Sequence, residues 1–184
     1  LDCTLGLGGH SEAILQSLSP NGKLLGLDMD PESLHLAARR LHGHRNFQAV
    51  RSNFRDAARI LEEMKFFPLA GVLYDLGVSS MHFEKAERGF SFRLEGPLDM
   101  RLSPDNPLTA DAIINRWPEE QIALLLKEYG EEPAAARIAR AIVARRSRQP
   151  FRSTTDLAEH IASILPRGKT HQATRTFQSL RIAV

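Results

Sequence analysis

Apolar residues come in short runs as far as Asp75 and at helical spacing from Thr109 onward, with a stretch of neither kind between. Leu1 to Leu5 predicts a strand that runs into Gly6-Leu7-Gly8-Gly9-His10. Ser11 is then the expected N-cap of a helix through Leu18, with Ile14, Leu15 and Leu18 on one face. Pro20-Asn21-Gly22 reads as a turn, and Leu24 to Leu27 as a second strand ending at Asp28. Pro31 suits the first turn of the next helix, which reaches about His42. Phe47 to Val50 alternates as a third strand, Asp56 to Lys65 is helical, and Ala70 to Tyr74 is a fourth strand ending at Asp75. This alternation of strand and helix predicts a parallel, doubly wound α/β sheet.

Residues 76–108 are rich in Gly, Pro and Ser and read as a long functional loop. The pattern from Thr109 to Pro166 is helical: Ala110 to Asn115, Glu119 to Tyr129, Ala134 to Arg146, and Thr155 to Leu165 with Thr155 or Asp156 as cap. No strand signal interrupts these helices, so they predict a small all-helical insertion. A last amphipathic helix, Ala173 to Val184, is expected to return to the α/β core. The expected organisation is a core over 1–108 carrying the site and its loop, an insertion over 109–168, and an incomplete return over 169–184.

The chain opens without Met and stops inside an apolar pattern, so it reads as an internal fragment whose sheet is truncated at the C-terminal end. A targeting peptide upstream is left open, although no signal peptide is visible at Leu1. No apolar run approaches the ~20 residues a bilayer span requires. At 184 residues, 42% apolar and 25% charged, the chain can bury a full core and has the composition of a globular protein. Its single cysteine, Cys3, excludes an intramolecular disulfide framework and a multi-cysteine metal cluster, and reads as a small buried side chain. The net charge of +2 is unevenly spread. Ten Lys or Arg face two acids from Arg137 onward, whereas fourteen face twenty before it. On charge alone this split fits a polyanion-binding surface and an ordinary solvated helix face equally well.

Strand, Gly-x-Gly-Gly, then helix puts backbone N–H groups at a helix N-terminus, where side chains would obstruct a ligand. Asp28 lies twenty positions after Gly8 at the end of the second strand, where a carboxylate accepts the ribose hydroxyls of an adenosine cofactor. The loop lacks the Gly-x-Gly-x-x-Gly spacing and a following Lys-Ser/Thr, which disfavours a dinucleotide oxidoreductase and a P-loop NTPase. Asp75 ends the fourth strand and faces the same crevice. Glu87-Arg88-Gly89-Phe90-Ser91-Phe92-Arg93 and Gly96-Pro97-Leu98-Asp99-Met100-Arg101 look like poor core and poor linker, and suit an ordered loop that contacts a ligand.

Those two stretches, with Asp2-x-Thr4-Leu5-Gly6-x-Gly8-Gly9-His10-Ser11, Asp75-Leu76-Gly77-Val78-Ser79-Ser80, Tyr129-Gly130-Glu131-Glu132 and Ala173-Thr174-Arg175-Thr176-Phe177-Gln178, together resemble the RsmH (MraW) family. The resemblance runs through essentially the whole chain, in order. It implies a Rossmann-like methyltransferase core with an inserted helical domain, using S-adenosylmethionine to methylate cytosine N4 in small-subunit ribosomal RNA. It also implies a cofactor set of Gly8, Gly9, His10, Asp28, Phe54 and Asp75: the loop for the methionine end, Asp28 for the ribose, Phe54 as an aromatic wall for adenine. Where many members have Ser-Ser-Pro-Gln this chain has Ser79-Ser80-Met81-His82, so His82 stands where Gln would reach the cofactor. Organelle-type relatives often carry Met at the position of Met81, which sets a mitochondrion or chloroplast beside a bacterial cytoplasm as the implied compartment.

The implied reaction needs no metal, because the leaving group becomes a neutral thioether. Asp75 is the first candidate to orient N4, with Ser79 or Ser80 second. Arg137, Arg140, Arg145, Arg146 and Arg148 are expected to meet phosphates, with Arg88, Arg93 and Arg101 nearer the site. The implied partner is the ribosomal RNA or an assembling small subunit; oligomeric state is left open, a homodimer included. Two other readings stand beside this one: a non-catalytic cofactor- and RNA-binding assembly factor, and a small-molecule methyltransferase.

Overall fold

In a computed structural model describing residues 1–184, β1 (Leu24–Asp28) lies parallel to β2 (Phe47–Arg51), with Leu24 opposite Phe47 and Asp28 opposite Arg51. The first segment runs along the other edge of β1. Asp2 N–H donates to the Leu25 carbonyl at 2.9 Å, Leu27 N–H to that of Asp2 at 2.8 Å, and Leu5 N–H to that of Leu27 at 2.9 Å. Beyond it comes Leu73, whose N–H reaches the Leu1 carbonyl at 2.8 Å. The lateral order is therefore third, second, first and fourth segment, all parallel. The first and fourth are shorter than expected, forming ladder bridges only at Asp2 and Leu73. The first leaves the extended path at Gly6, where φ turns to +52°, and its Thr4 N–H bonds the Asp2 carboxylate instead of the ladder.

Alternation along β1 decides which helix covers which face. Leu25 and Leu27 join Cys3 against Ala57, Ile60 and Leu61 of α3 (Ala57–Glu63). Leu24 joins Leu5 against Leu15 of α1 (Gly9–Ser17), Ala37 of α2 (Pro31–Arg40) and Leu41. Each such buried leucine contributes about 2 kcal/mol. Burial also pushes the Cys3 thiol pKa up, as an inert core cysteine requires. α2 starts as its sequence dictates: Asp30 caps it by accepting from Glu32 N–H, and Pro31 occupies its first turn. α1 starts earlier than expected, with Gly8 as N-cap, because Ser11 is drawn inward to the Asp2 carboxylate.

The chain forms two compact units, Leu1–Ser79 and Ser80–Val184, whereas the sequence pattern placed its break after residue 108. The second unit comprises α4 (Ser80–Glu84), α5 (Ala110–Arg116), α6 (Glu119–Gly130), α7 (Ala135–Arg146), α8 (Thr154–Ile164) and α9 (Thr174–Ala183). Ile138 and Ile142 of α7 are fully buried, while Ala141 beside them is only partly so. Ser153, rather than Thr155 or Asp156, caps α8 by accepting from Asp156 N–H. α9, in the segment expected to return to the α/β core, packs against α6 and α5 within its own unit. Gly130 permits that approach: a Cβ there would lie 2.3 Å from Ser179 Oγ.

The stretch from Glu87 to Arg101 is not the poor core it resembled. Phe90, Leu98 and Met100 are buried. Thr154 clasps the loop, donating its hydroxyl to the Leu94 carbonyl at 2.7 Å and accepting from Gly96 N–H at 3.0 Å. Arg101 grips Asp99 through two parallel bonds of 2.9 and 2.8 Å, which hold the Asp99 carboxyl below the usual carboxylate range. No helix is long and apolar enough to cross a membrane.

Candidate active site

Asp2 is a charged side chain in an apolar segment, and it is fully buried. A carboxylate in that position must have its acceptors filled. Thr4 N–H donates to one oxygen at 3.1 Å and the Ser11 hydroxyl to the other at 2.7 Å. The pair pins the start of α1 to the strand and so fixes the span of the loop between them. Sequence reasoning did not assign Asp2 a role. Its signal was the buried charge itself.

Within that loop Gly8 has φ +79°, and a Cβ would meet Leu41 Cδ1 at 3.1 Å and Ala37 Cβ at 3.4 Å. A glycine at position 8 is thus required for packing against Ala37 and Leu41, independently of any ligand. α1 begins without a side-chain cap, which leaves N–H groups of its first turn for a ligand or water. Gly6 N–H donates to Asp28 Oδ2 at 2.7 Å, and Asp30 N–H to Asp28 Oδ1 at 2.9 Å. These two amides fix the carboxylate beside the loop at the end of β1.

Asp75 is held there too. Its N–H donates to Thr4 Oγ1 at 2.7 Å, and its Oδ2 lies 3.1 Å from His10 Nε2. Both side chains of that pair are nearly two-thirds exposed, at 63% and 65%. An exposed pair contributes at most about 1 kcal/mol, so it does little to hold the fold. What it does is join the glycine loop to the fourth segment. The loop thus touches Asp28 through Gly6 and Asp75 through His10, and three segment ends meet at one carboxyl-terminal edge. Phe54, in a 3₁₀ turn after β2, is 40% exposed and meets the Tyr74 ring edge-on at 5.6 Å. Tyr74 was not foreseen; an aromatic preceding the strand-end Asp was its only sequence signal.

The other predicted residues fall in different places. Ser79 closes the first unit, and Ser80 opens α4 in the second. His82 is buried, its ring 5.0 Å from that of Phe90.

A family model described as the MraW methylase family matches residues 1–184. The chain belongs to the MraW methylase family. Among its relatives, each named ribosomal RNA small subunit methyltransferase H, are proteins of Dehalococcoides mccartyi (48% identical), Caldicellulosiruptor bescii (44%) and Stenotrophomonas maltophilia (49%). Each aligns with the whole of this chain, which covers 53%, 61% and 57% of their respective lengths. The chain thus spans little more than half the length of these relatives.

In this MraW-family chain, charge counting overstated how many arginines are unengaged. Arg146 donates to the carbonyls of Ile114 and Trp117, and burial pulls its pKa down. Arg145 pairs with Asp156 at 2.6 Å and lies over the Phe151 ring. Arg88 donates to the Arg101 carbonyl, and Arg101 to those of Pro104 and Asn106. Arg137, Arg140 and Arg148 remain exposed along and just beyond α7, with Arg140 only 3.7 Å from Glu119, and Arg93 is exposed in the loop.

Proposed function

We propose that the protein transfers a methyl group from S-adenosylmethionine to the exocyclic N4 of a cytidine in small-subunit ribosomal RNA. The observation that carries this is the meeting of the glycine loop, Asp28 and Asp75 at one edge of the parallel segments, in a chain whose relatives are named for that class of reaction. In this reading the first unit is a Rossmann-like core, supported by its third-second-first-fourth order, and residues 109–168 are an insertion in it. The bacterial relatives favour a cytoplasmic setting, with ribosomal RNA or an assembling small subunit as partner.

The residues present fit the cofactor. The uncapped start of α1 at Gly8, Gly9 and His10 suits its carboxylate, the amide-fixed Asp28 suits ribose hydroxyls, and half-exposed Phe54 suits a flat purine. His82, buried against Phe90, stays in the proposed set through its place after Ser80. When bound, the cofactor supplies an electrophilic methyl group on a sulfonium. Asp75 would accept a hydrogen bond from cytosine N4, aim its lone pair, offset the positive charge that grows on nitrogen as the C–N bond forms and the S–C bond breaks, and take up the proton that N4 gives up. Ser79 and Ser80 are the second candidates for that contact. Positioning of this kind supplies at most ~7–11 kcal/mol. The cytidine must be unstacked to reach such an edge, which suits a single-stranded or looped target. Arg93, Arg137, Arg140 and Arg148 meet phosphates; Arg88, Arg101, Arg145 and Arg146 have carbonyls and carboxylates to hold as well.

Side-by-side incubation of labelled S-adenosylmethionine with naked ribosomal RNA, isolated small subunits and free nucleosides tests the proposal. Label entering RNA or subunits but not nucleosides is expected. Label on nucleosides alone would make it a small-molecule enzyme, and cofactor binding with no transfer anywhere would make it an assembly factor.

A further inference from the structure

Arg181 is the arginine whose surroundings neither the fold nor the proposed reaction explains. It sits in α9, half-buried, with one donor spent: Nη1 bonds the Phe90 carbonyl at 2.8 Å. Its guanidinium carbon lies 5.0 Å from the centroid of the Phe83 ring, over its face. No carboxylate pairs with it, and burial alone pulls its pKa below the ordinary value. The other half-buried arginines of this unit are differently placed. Arg101 and Arg145 have carboxylates, Arg88 donates to the carbonyls of Arg101 and Leu102, and Arg146 spends two donors closing the end of α5.

A guanidinium partly out of water without a counter-ion costs stability, and an apolar side chain of similar volume would serve packing as well or better. Its remaining N–H donors form a planar fork suited to a phosphate. Phe83, beneath it, is still 36% exposed. A phosphate donor beside an exposed aromatic face is the pairing that single-stranded nucleic acid uses, backbone on the cation and base on the ring. Phe83 also follows Ser80 by three positions, in the segment that leads away from the strand-end Asp75.

We infer that Arg181 and Phe83 form a subsite for one nucleotide of single-stranded RNA, the guanidinium holding its phosphate and the ring its base. The inference rests on the proposed RNA substrate and names a contact that charge counting did not.

Anisotropy of a labelled single-stranded oligoribonucleotide, titrated at several salt concentrations, tests it in the wild type, Arg181→Gln, Arg181→Lys and Phe83→Ala. Arg181→Gln is expected to weaken binding roughly tenfold, as loss of a charge-assisted bond does, and to lower the log–log salt slope by about 0.7. Arg181→Lys restores the slope, and Phe83→Ala weakens binding with the slope unchanged. A scan of RNAs, each with one phosphate neutralised as methylphosphonate, should find one position that matters to the wild type and not to Arg181→Gln. A merely structural Arg181 would lower the melting temperature and leave the scan intact, which overturns the inference. Should Arg181→Gln fail to fold, wild-type affinity in Phe83→Ala overturns it equally. If those variants bind like the wild type while methylation of RNA persists, only the subsite is wrong. If the wild type neither binds nor methylates RNA, the substrate reading fails and takes the subsite with it.

Discussion

Asp75→Asn is expected to slow methyl transfer to RNA at least ~10²-fold in single turnover at saturating cofactor, the scale on which a positioned base contributes. The substitution keeps size and shape. The backbone N–H of residue 75 would still reach Thr4 Oγ1, and the exposed partnership with His10 is worth too little to unfold anything. What disappears is the negative charge facing the nitrogen that becomes positive during transfer, and an amide rotated to keep an acceptor there loses the match to His10. Stopped mixtures quenched over time separate this from weakened cofactor affinity, since saturation removes the binding contribution. Wild-type rates would leave Ser79 or Ser80 to orient the amine.

Gly89→Ala is expected to cost at least ~3 kcal/mol and to unfold the second unit under conditions that leave the wild type intact. Gly89 has φ +69°, and a Cβ there would sit 1.9 Å from the Pro97 carbonyl oxygen and 3.1 Å from Asp99 N. Neither neighbour can yield. Pro97 and Asp99 flank buried Leu98, and the Asp99 carbonyl accepts the N–H of Ala110 at the start of α5. Left-handed strain adds to the overlap. Gly43→Ala is the control, because nothing lies within 4 Å of its Cβ position, and it should change stability by well under 1 kcal/mol. Urea denaturation of both variants measures the difference. A small effect at Gly89 would mean that the loop can open there.

The contrast between these two glycines shows where sequence carried the fold and where it could not. The α/β layer was legible because β1 buries a short apolar run, Leu24 to Leu27, and α2 turns one apolar face inward, Leu34, Ala37 and Leu41, although β2 and the fourth segment bury little. The core of the 87–101 loop has no period, so Phe90, Leu98 and Met100 looked like exposed residues with a function. Ser11 looked like a cap because nothing in its neighbours announces that Asp2 would claim it. The strand-end acids were legible by position. The small contacts that aim them, from Thr4 and Gly6, depend on loop geometry that composition does not encode. Arginines were miscounted for a related reason: charge does not distinguish Arg146, which closes the end of α5, from Arg140, which meets solvent.

The claim on which the rest depends is that the glycine loop and Asp28 hold S-adenosylmethionine. Calorimetric titration of the protein with S-adenosylmethionine, repeated on Asp28→Ala, addresses it directly. One equivalent should bind the wild type, and Asp28→Ala should weaken it at least tenfold, since losing hydrogen bonds to a charged group costs ~1.5–3 kcal/mol. Unchanged affinity in Asp28→Ala, or no binding to a folded wild type, would contradict it.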